Sequence, residues 1–240
     1  MMRTRAKRSR TLAPIPAELV EPDNGDTITR LRSVGADATT ISVLVGKTSV
    51  AKIDARDLER LQLRPGIEWT TQLADTLHDA AAMRAARQHA LRLVAARPRA
   101  KADLIRRLKL AGHGQRHAAA AAEMLESAGV IDDTALAEAA ASTMASRTGV
   151  SRRAIETKLR QRGITATQAS KAARDATEDL DERAAATELA IKRVSRQRQP
   201  TDPVAAKRRL FAFLLRRGFN TDDARHAVDR ALADQNDELD

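Results

Sequence analysis

Few residues of this chain invite a chemical reading. Val45-Gly46-Lys47-Thr48 has the ending of a phosphate-cradling loop, in which a lysine and a hydroxyl meet a nucleotide's phosphates and its metal. That motif needs a glycine five residues before the Gly-Lys pair, and Ile41 stands there. No helix signal follows Thr48, so a hairpin turn is expected and nucleotide hydrolysis through Lys47 is the rival. His113 and His117 are four apart, as helix-borne metal ligands are. Gly112 and Gly114 flank the first of them and no acidic ligand is near in sequence, so His113 is expected as a solvated loop residue. Asp132-Asp133 is a carboxylate pair, but it follows Gly129-Val130-Ile131 and precedes a helical pattern. An N-cap and a first-turn acid suited to the helix dipole are the expectation, with catalytic carboxylates second. The chain has no Cys, which excludes disulfides, zinc thiolates and cysteine nucleophiles. A catalytic site, a metal and a cofactor are therefore not expected, and function should come from binding.

The elements that position these residues are mostly helical. Hydrophobic residues make up 42% of the 240, yet aromatics only 2%, so the apolar content is chiefly Ala and Leu, which suits closely packed helices. Before them lies a different texture. Thr39 to Val45 and Ser49 to Ile53 are β-branched and partly alternating around the Gly46-Lys47-Thr48 turn, which predicts a hairpin. Asp54 is placed to cap a short helix through Leu61, Arg64-Pro65-Gly66 is a turn signal, and Ile67 to Thr70 has the composition of a further short strand.

From Thr71 onward a repeat is visible. Three helical segments end in Gly112, Gly163 and Gly218. Four residues before each glycine stand Leu108, Leu159 and Leu214; eight before stand Leu104, Ile155 and Leu210; eleven before stand Lys101, Arg152 and Lys207. The spacing of four puts each apolar pair on one helix face, and the glycine fits a helix C-cap. A helix precedes each segment (83–97, 134–147, 182–196) and one follows it (115–127, 166–177, 222–233), with Thr165 and Gln168 forming a capping box. The expected fold class is mostly α: three tandem three-helix repeats in an elongated array, preceded by a small α+β module. Residues 1–26 read as a disordered basic, proline-bearing tail, 27–70 as the α+β module, 71–130, 131–180 and 181–233 as the repeats, and 234–240 as an acidic tail.

Charge is distributed unevenly. The formal net charge is +10, and between Arg84 and Arg116 ten basic residues accompany one acid, Asp103. Between Lys192 and Arg217 nine accompany one, Asp202. Such blocks form a basic path suited to phosphate or to an acidic protein surface. The candidates along it are Lys101, Arg106, Arg107 and Lys109 in the first repeat, Arg152, Lys158, Arg160 and Arg162 in the second, and Lys207, Arg208, Arg209, Arg216 and Arg217 in the third. With no Tyr, one Trp and three Phe, stacking platforms for bases are scarce, so backbone contacts are favoured. No apolar run reaches the ~20 residues of a membrane span, and a cytoplasmic monomer is expected.

Several of these segments carry a family resemblance. Over about residues 84–233 the chain resembles the RecX family of bacterial recombination regulators. The matching stretches, in order, are Gly129-Val130-Ile131-Asp132-Asp133-Thr134-Ala135-Leu136-Ala137 and Leu159-Arg160-Gln161-Arg162-Gly163-Ile164. Asp181-Glu182 with Ala190-Ile191-Lys192 follows, and then Leu214-Leu215-Arg216-Arg217-Gly218-Phe219. Leu136 replaces the family's usual aromatic, and Arg97-Pro98-Arg99-Ala100-Lys101 replaces a Ser-Arg-rich start. The resemblance implies a protein that binds RecA filaments on DNA and limits their ATPase and strand exchange, by lying along the filament groove or blocking the growing end. It supplies no catalytic residues. The rival reading is a general DNA-binding protein whose three-helix units act like helix-turn-helix modules without a specific protein partner.

Overall fold

The computed structural model describes residues 22–35, 38–147, 149–196 and 202–237. Most of the tail expected at 1–26, and the last three residues of the one expected at 234–240, lie outside them. In chain order the elements are β1 (Ile28–Val34), β2 (Thr40–Val45), β3 (Thr48–Asp54), α1 (Arg56–Arg60), α2 (Thr71–Ala96), α3 (Lys101–Leu110) and α4 (Gln115–Ser127). They continue with α5 (Asp133–Ala145), α6 (Arg152–Gln161), α7 (Ala166–Ala176), α8 (Glu182–Val194), α9 (Pro203–Arg216) and α10 (Thr221–Asp237). The chain is thus mostly helical with a small N-terminal sheet, as the sequence implied. It divides into two compact units, one holding residues up to 93 together with 105–124, the other 94–104 and everything from 125.

In the first unit the strands form an antiparallel sheet in the order β1-β2-β3. Cross-strand partners such as Leu31 with Val43 and Ile41 with Ile53 set the register. The buried side, Ile28, Ile41, Val43, Val45 and Ile53, closes on Trp69, Ala74 and Leu77. Gly46 takes φ +60 in the β2–β3 turn, so Gly46-Lys47-Thr48 is a hairpin turn and Lys47 is exposed on it. The strand β1 was not anticipated, and the strand expected at Ile67–Thr70 is reduced to one bridge between Glu68 and Thr27.

Asp54 does not cap α1. The N-cap is Ala55, with no side-chain cap bond. Asp54 instead faces α2, where Arg87 Nη1 lies 2.6 Å from Oδ2 and Arg84 Nε 3.4 Å from Oδ1. His113 also departs from expectation. It is half-buried, and its Nε2 lies 3.1 Å from Nδ1 of buried His89, the two rings sharing a hydrogen bond. Burial foremost, then the neighbouring imidazole and Arg92 for His89, His117 and Arg92 for His113, hold both below the usual imidazole range. His117 bonds Asp79, 2.9 Å away across 38 residues, a partner that local spacing cannot reveal. Among the described residues no three His, Asp or Glu side chains converge on a possible metal position.

The second unit contains α5 to α10. Ala137, Ala141, Ala169 and Ala173 bring α5 and α7 close over Ile155 and Leu159 of α6. Ala186, Ala190, Ala224 and Ala227 do the same for α8 and α10 over Leu210 and Leu214 of α9. Leu104, Leu108, Ile155, Leu159 and Leu214 are all fully buried, so the i, i+4 pair read from the sequence is the inward stripe of each glycine-ended helix. Burying each such side chain contributes about 1.5–3 kcal/mol.

Acids at the start of one repeat cap the helix of the repeat before it. Asp132 is the N-cap of α5, accepting from the amides of Thr134 and Ala135. Asp133 reaches back instead and accepts the Lys101 N–H at 2.9 Å. One repeat later Glu182 accepts the Arg152 N–H at 2.9 Å. Both carboxylates thus satisfy amides left open at a helix N-terminus. Catalysis is not needed to account for the Asp-Asp pair.

Burial, opposed by the Lys101 amide, pushes the Asp133 carboxyl above its ordinary value of 3.8. The folded protein therefore holds this proton more tightly than the unfolded chain does. Its contribution to stability is fully present below the unfolded value and declines as pH rises through the raised one. Asp133→Asn keeps the acceptor oxygen but removes the titration. The stability difference should move in favour of the asparagine variant as pH rises above the ordinary carboxylate value of about 4. Urea midpoints at several pH values check this; a pH-independent difference contradicts it.

Candidate functional site: a basic groove between the second and third repeats

The groove begins with two helix ends that the sequence shapes for contact. At the start of α6, Ser151 is completely buried. Its Oγ accepts the Ala154 N–H at 3.1 Å and donates to the Arg217 carbonyl at 2.9 Å, so one hydroxyl caps α6 and grips the end of α9. At that end Gly218 has φ +91, and the Phe219 amide returns to the Leu214 carbonyl. A β-carbon on residue 218 would lie 2.6 Å from Ser151 Oγ and 3.1 Å from the Ala154 nitrogen. Glycine is required here twice, for its backbone conformation and for closeness. The same relation holds one repeat earlier, where a β-carbon on Gly163 would lie 3.0 Å from the Asp103 nitrogen.

This close approach lays the end of α9 beside α6 and leaves a groove of about 810 Å³. Arg153 and Lys158 line it from α6, Arg216 and Arg217 from the end of α9, and Leu215 and Phe219 supply apolar surface. Leu215 is 40% exposed, an unusual place for a large aliphatic side chain next to four cations. The Arg217 guanidinium sits 5.2 Å from the centroid of the Phe213 ring, and that of Arg193 4.9 Å from it. Cation–π contact of this kind holds a charge in place without neutralising it. Among the described residues no carboxylate lines the groove.

Of the thirteen candidates read from the sequence, the groove gathers Lys158, Arg216 and Arg217. The others stand elsewhere. Lys101 pairs with Glu126 at 2.7 Å, and Lys207 with Asp229 at 2.7 Å. Arg209 donates to the Ala205 carbonyl of its own helix. Arg152 and Arg208 are exposed on α6 and α9, and Arg160 and Arg162 are exposed at the end of α6. Arg106, Arg107 and Lys109 belong to the stretch of α3 that lies in the first unit. Arg153 and Leu215 went unselected. Glycine alignment picks out Arg152, whereas the groove takes its neighbour, about 100° further round the helix. Leu215 is hidden from pattern reading because an exposed leucine looks like a core one.

The arrangement has counterparts. Residues 132–172 match the model of the second three-helix domain of RecX, and residues 181–228 that of the third. The chain is 31% identical over 156 residues to the regulatory protein RecX of Thermobifida fusca (strain YX), which spans 65% of this chain and 83% of that one. The chain belongs to the RecX family. It is also 31% identical over 148 residues to the regulatory protein RecX of Mycolicibacterium smegmatis, covering 60% of this chain and 78% of that one. With the RecX protein of Chlorobaculum tepidum it shares 29% over 155 residues, 63% of this chain and 93% of that one. A crystal structure of regulatory protein RecX superposes with a TM-score of 0.66 at 18% identity over 85% of this chain and 99% of the other, which establishes a common fold. The groove lies where the two matched RecX domains adjoin. Among the described residues no helix is long and apolar enough to cross a membrane.

Proposed function

We propose that this RecX-family chain is a regulator that binds RecA filaments on DNA and restrains their ATP hydrolysis and strand exchange in the cytoplasm. The observation that carries the reading is the groove of Arg153, Lys158, Arg216 and Arg217 around exposed Leu215. Four cations with no acid among them favour an anionic partner, and the apolar floor favours protein over naked phosphate backbone, because protein interfaces centre on an apolar anchor. Binding is the proposed mode, carried by the groove's four cations and its exposed leucine. DNA phosphate is a second contact of the same basic surface.

The test is RecA's ATP hydrolysis on single-stranded DNA in excess, with this protein added well below one copy per RecA. Inhibition at that ratio is the expected result, since a protein seated on or at the end of a filament acts on many subunits. Inhibition only at amounts that coat the DNA would mean competition for phosphate and would replace this reading with general DNA binding.

A further inference from the structure

The N-terminal unit contains a second cationic cavity, unrelated to the groove. It has a volume of about 460 Å³. Arg56 and Arg60 reach it from α1, Arg87 from α2 and Arg116 from α4, against Asp57 and Asp79, so its lining carries four guanidinium groups and two carboxylates. Side chains of Arg56, Arg60 and Arg116 are 60%, 61% and 69% exposed, and each is ion-paired, Arg56 with Asp54, Arg60 with Asp57 and Arg116 with Asp79. Arg87 is the deep member, its side chain 16% exposed. Arg87 binds Asp54 through Nη1, while its buried Nε meets no hydrogen-bond acceptor. Burial and neighbouring Arg56 hold Arg87 below the usual guanidinium range against the pull of Asp54 and Asp57. With Asp54, which holds Arg87 and Arg56 from behind the lining, four guanidinium groups meet three carboxylates, a surplus of one positive charge.

We infer that this cavity is a site for the phosphodiester backbone of a nucleic acid strand. Arginine forks match phosphate oxygens in geometry, exposed ion pairs are weak enough to exchange for them, and a net positive lining suits a ligand that stays anionic at every physiological pH. Among the described residues the lining offers no aromatic ring on which a base would stack, and its apolar surface is Ala80 and Met83. Such a surface lacks the anchor of a protein-docking patch and has the polar, basic character of a nucleic-acid contact. It reads backbone and not sequence. The cavity is also larger than one free phosphate fills, and three of its four arginines are exposed to solvent, where a continuous strand can reach them.

The test uses the full chain and a fluorescein-labelled single-stranded oligonucleotide, with binding followed by anisotropy at several salt concentrations. Arg56→Ala, Arg60→Ala and Arg116→Ala are combined, leaving buried Arg87 in place, and helicity is checked by circular dichroism. The expected result is a roughly tenfold weaker complex at low salt, with a log–log salt slope shallower by about 0.7 for each phosphate no longer neutralised. The same three positions changed to lysine should recover most of the slope, which a merely structural loss would not. Unchanged affinity and slope in the alanine variant would overturn the proposal. Displacement of the strand by equimolar inorganic phosphate would overturn it too, by showing a site for the free anion.

Discussion

Alanine at position 218 is expected to destabilise the protein by about 2–6 kcal/mol. Two separate penalties combine. A non-glycine residue held at φ +91 costs about 1–3 kcal/mol. A methyl group placed 2.6 Å from Ser151 Oγ forces α6 and α9 apart, a strain of about 1–3 kcal/mol. Gly129 separates the two. It also has positive φ, +68, but nothing lies within 4 Å of its would-be β-carbon. Gly129→Ala should therefore lose only the conformational part, about 1–3 kcal/mol. Adding Ser151→Gly to Gly218→Ala should return part of the loss, because glycine is a tolerable N-cap. Urea midpoints decide the matter: equal losses at 129 and 218 would mean that the contact with α6 carries no energy.

The second large effect concerns the groove. Arg153→Glu, Arg216→Glu and Arg217→Glu together replace three of its four cations with anions. Against an acidic partner, like charges brought face to face cost several kcal/mol in total, so inhibition of RecA should need about 100-fold more protein or disappear. All three residues are exposed, and the Ser151 bond to Arg217 uses the backbone carbonyl, so fold and stability should hold. Leu215→Ser tests the apolar floor separately: it leaves the charge alone, and its loss of potency should persist at high salt. Wild-type inhibition by the triple variant would remove the groove from the mechanism. Because the arginines of the N-terminal cavity are untouched, oligonucleotide binding through them should survive the triple variant.

Helix positions were the most legible part of the fold. The i, i+4 stripe Leu104–Leu108, Ile155–Leu159 and Leu210–Leu214 is local, and its glycines mark the helix ends. Burial confirms each stripe because a three-helix unit has only one inside. β1 was missed because its exposed Arg30, Arg32 and Ser33 disguise an edge strand, whose register is set by distant partners such as Leu44 and Ser42. Asp54 and His113 were misjudged for a related reason. Their partners, Arg87 and His89, are distant in sequence, and a local rule defaults to a cap or a solvated loop. Groove residues were legible as basic but not as neighbours. Lys158 and Arg216 stand 58 positions apart, and only the seat of Gly218 on Ser151 brings their helices together.

That seat has a bearing on how the chain folds as it is made. Ser151 finds the Arg217 carbonyl 66 residues later, and the Arg152 amide finds Glu182 30 residues later. On the ribosome, the start of α6 therefore emerges well before the groups that complete it. The first and second repeats are each completed by groups of the repeat made after them. A chain cut short after α7 would keep the alanine-packed core of the second repeat but leave the α6 amide of Arg152 open and Ser151 without its acceptor. Completion of these helix ends thus follows synthesis one repeat behind it, Lys101 finding Asp133 before Arg152 finds Glu182.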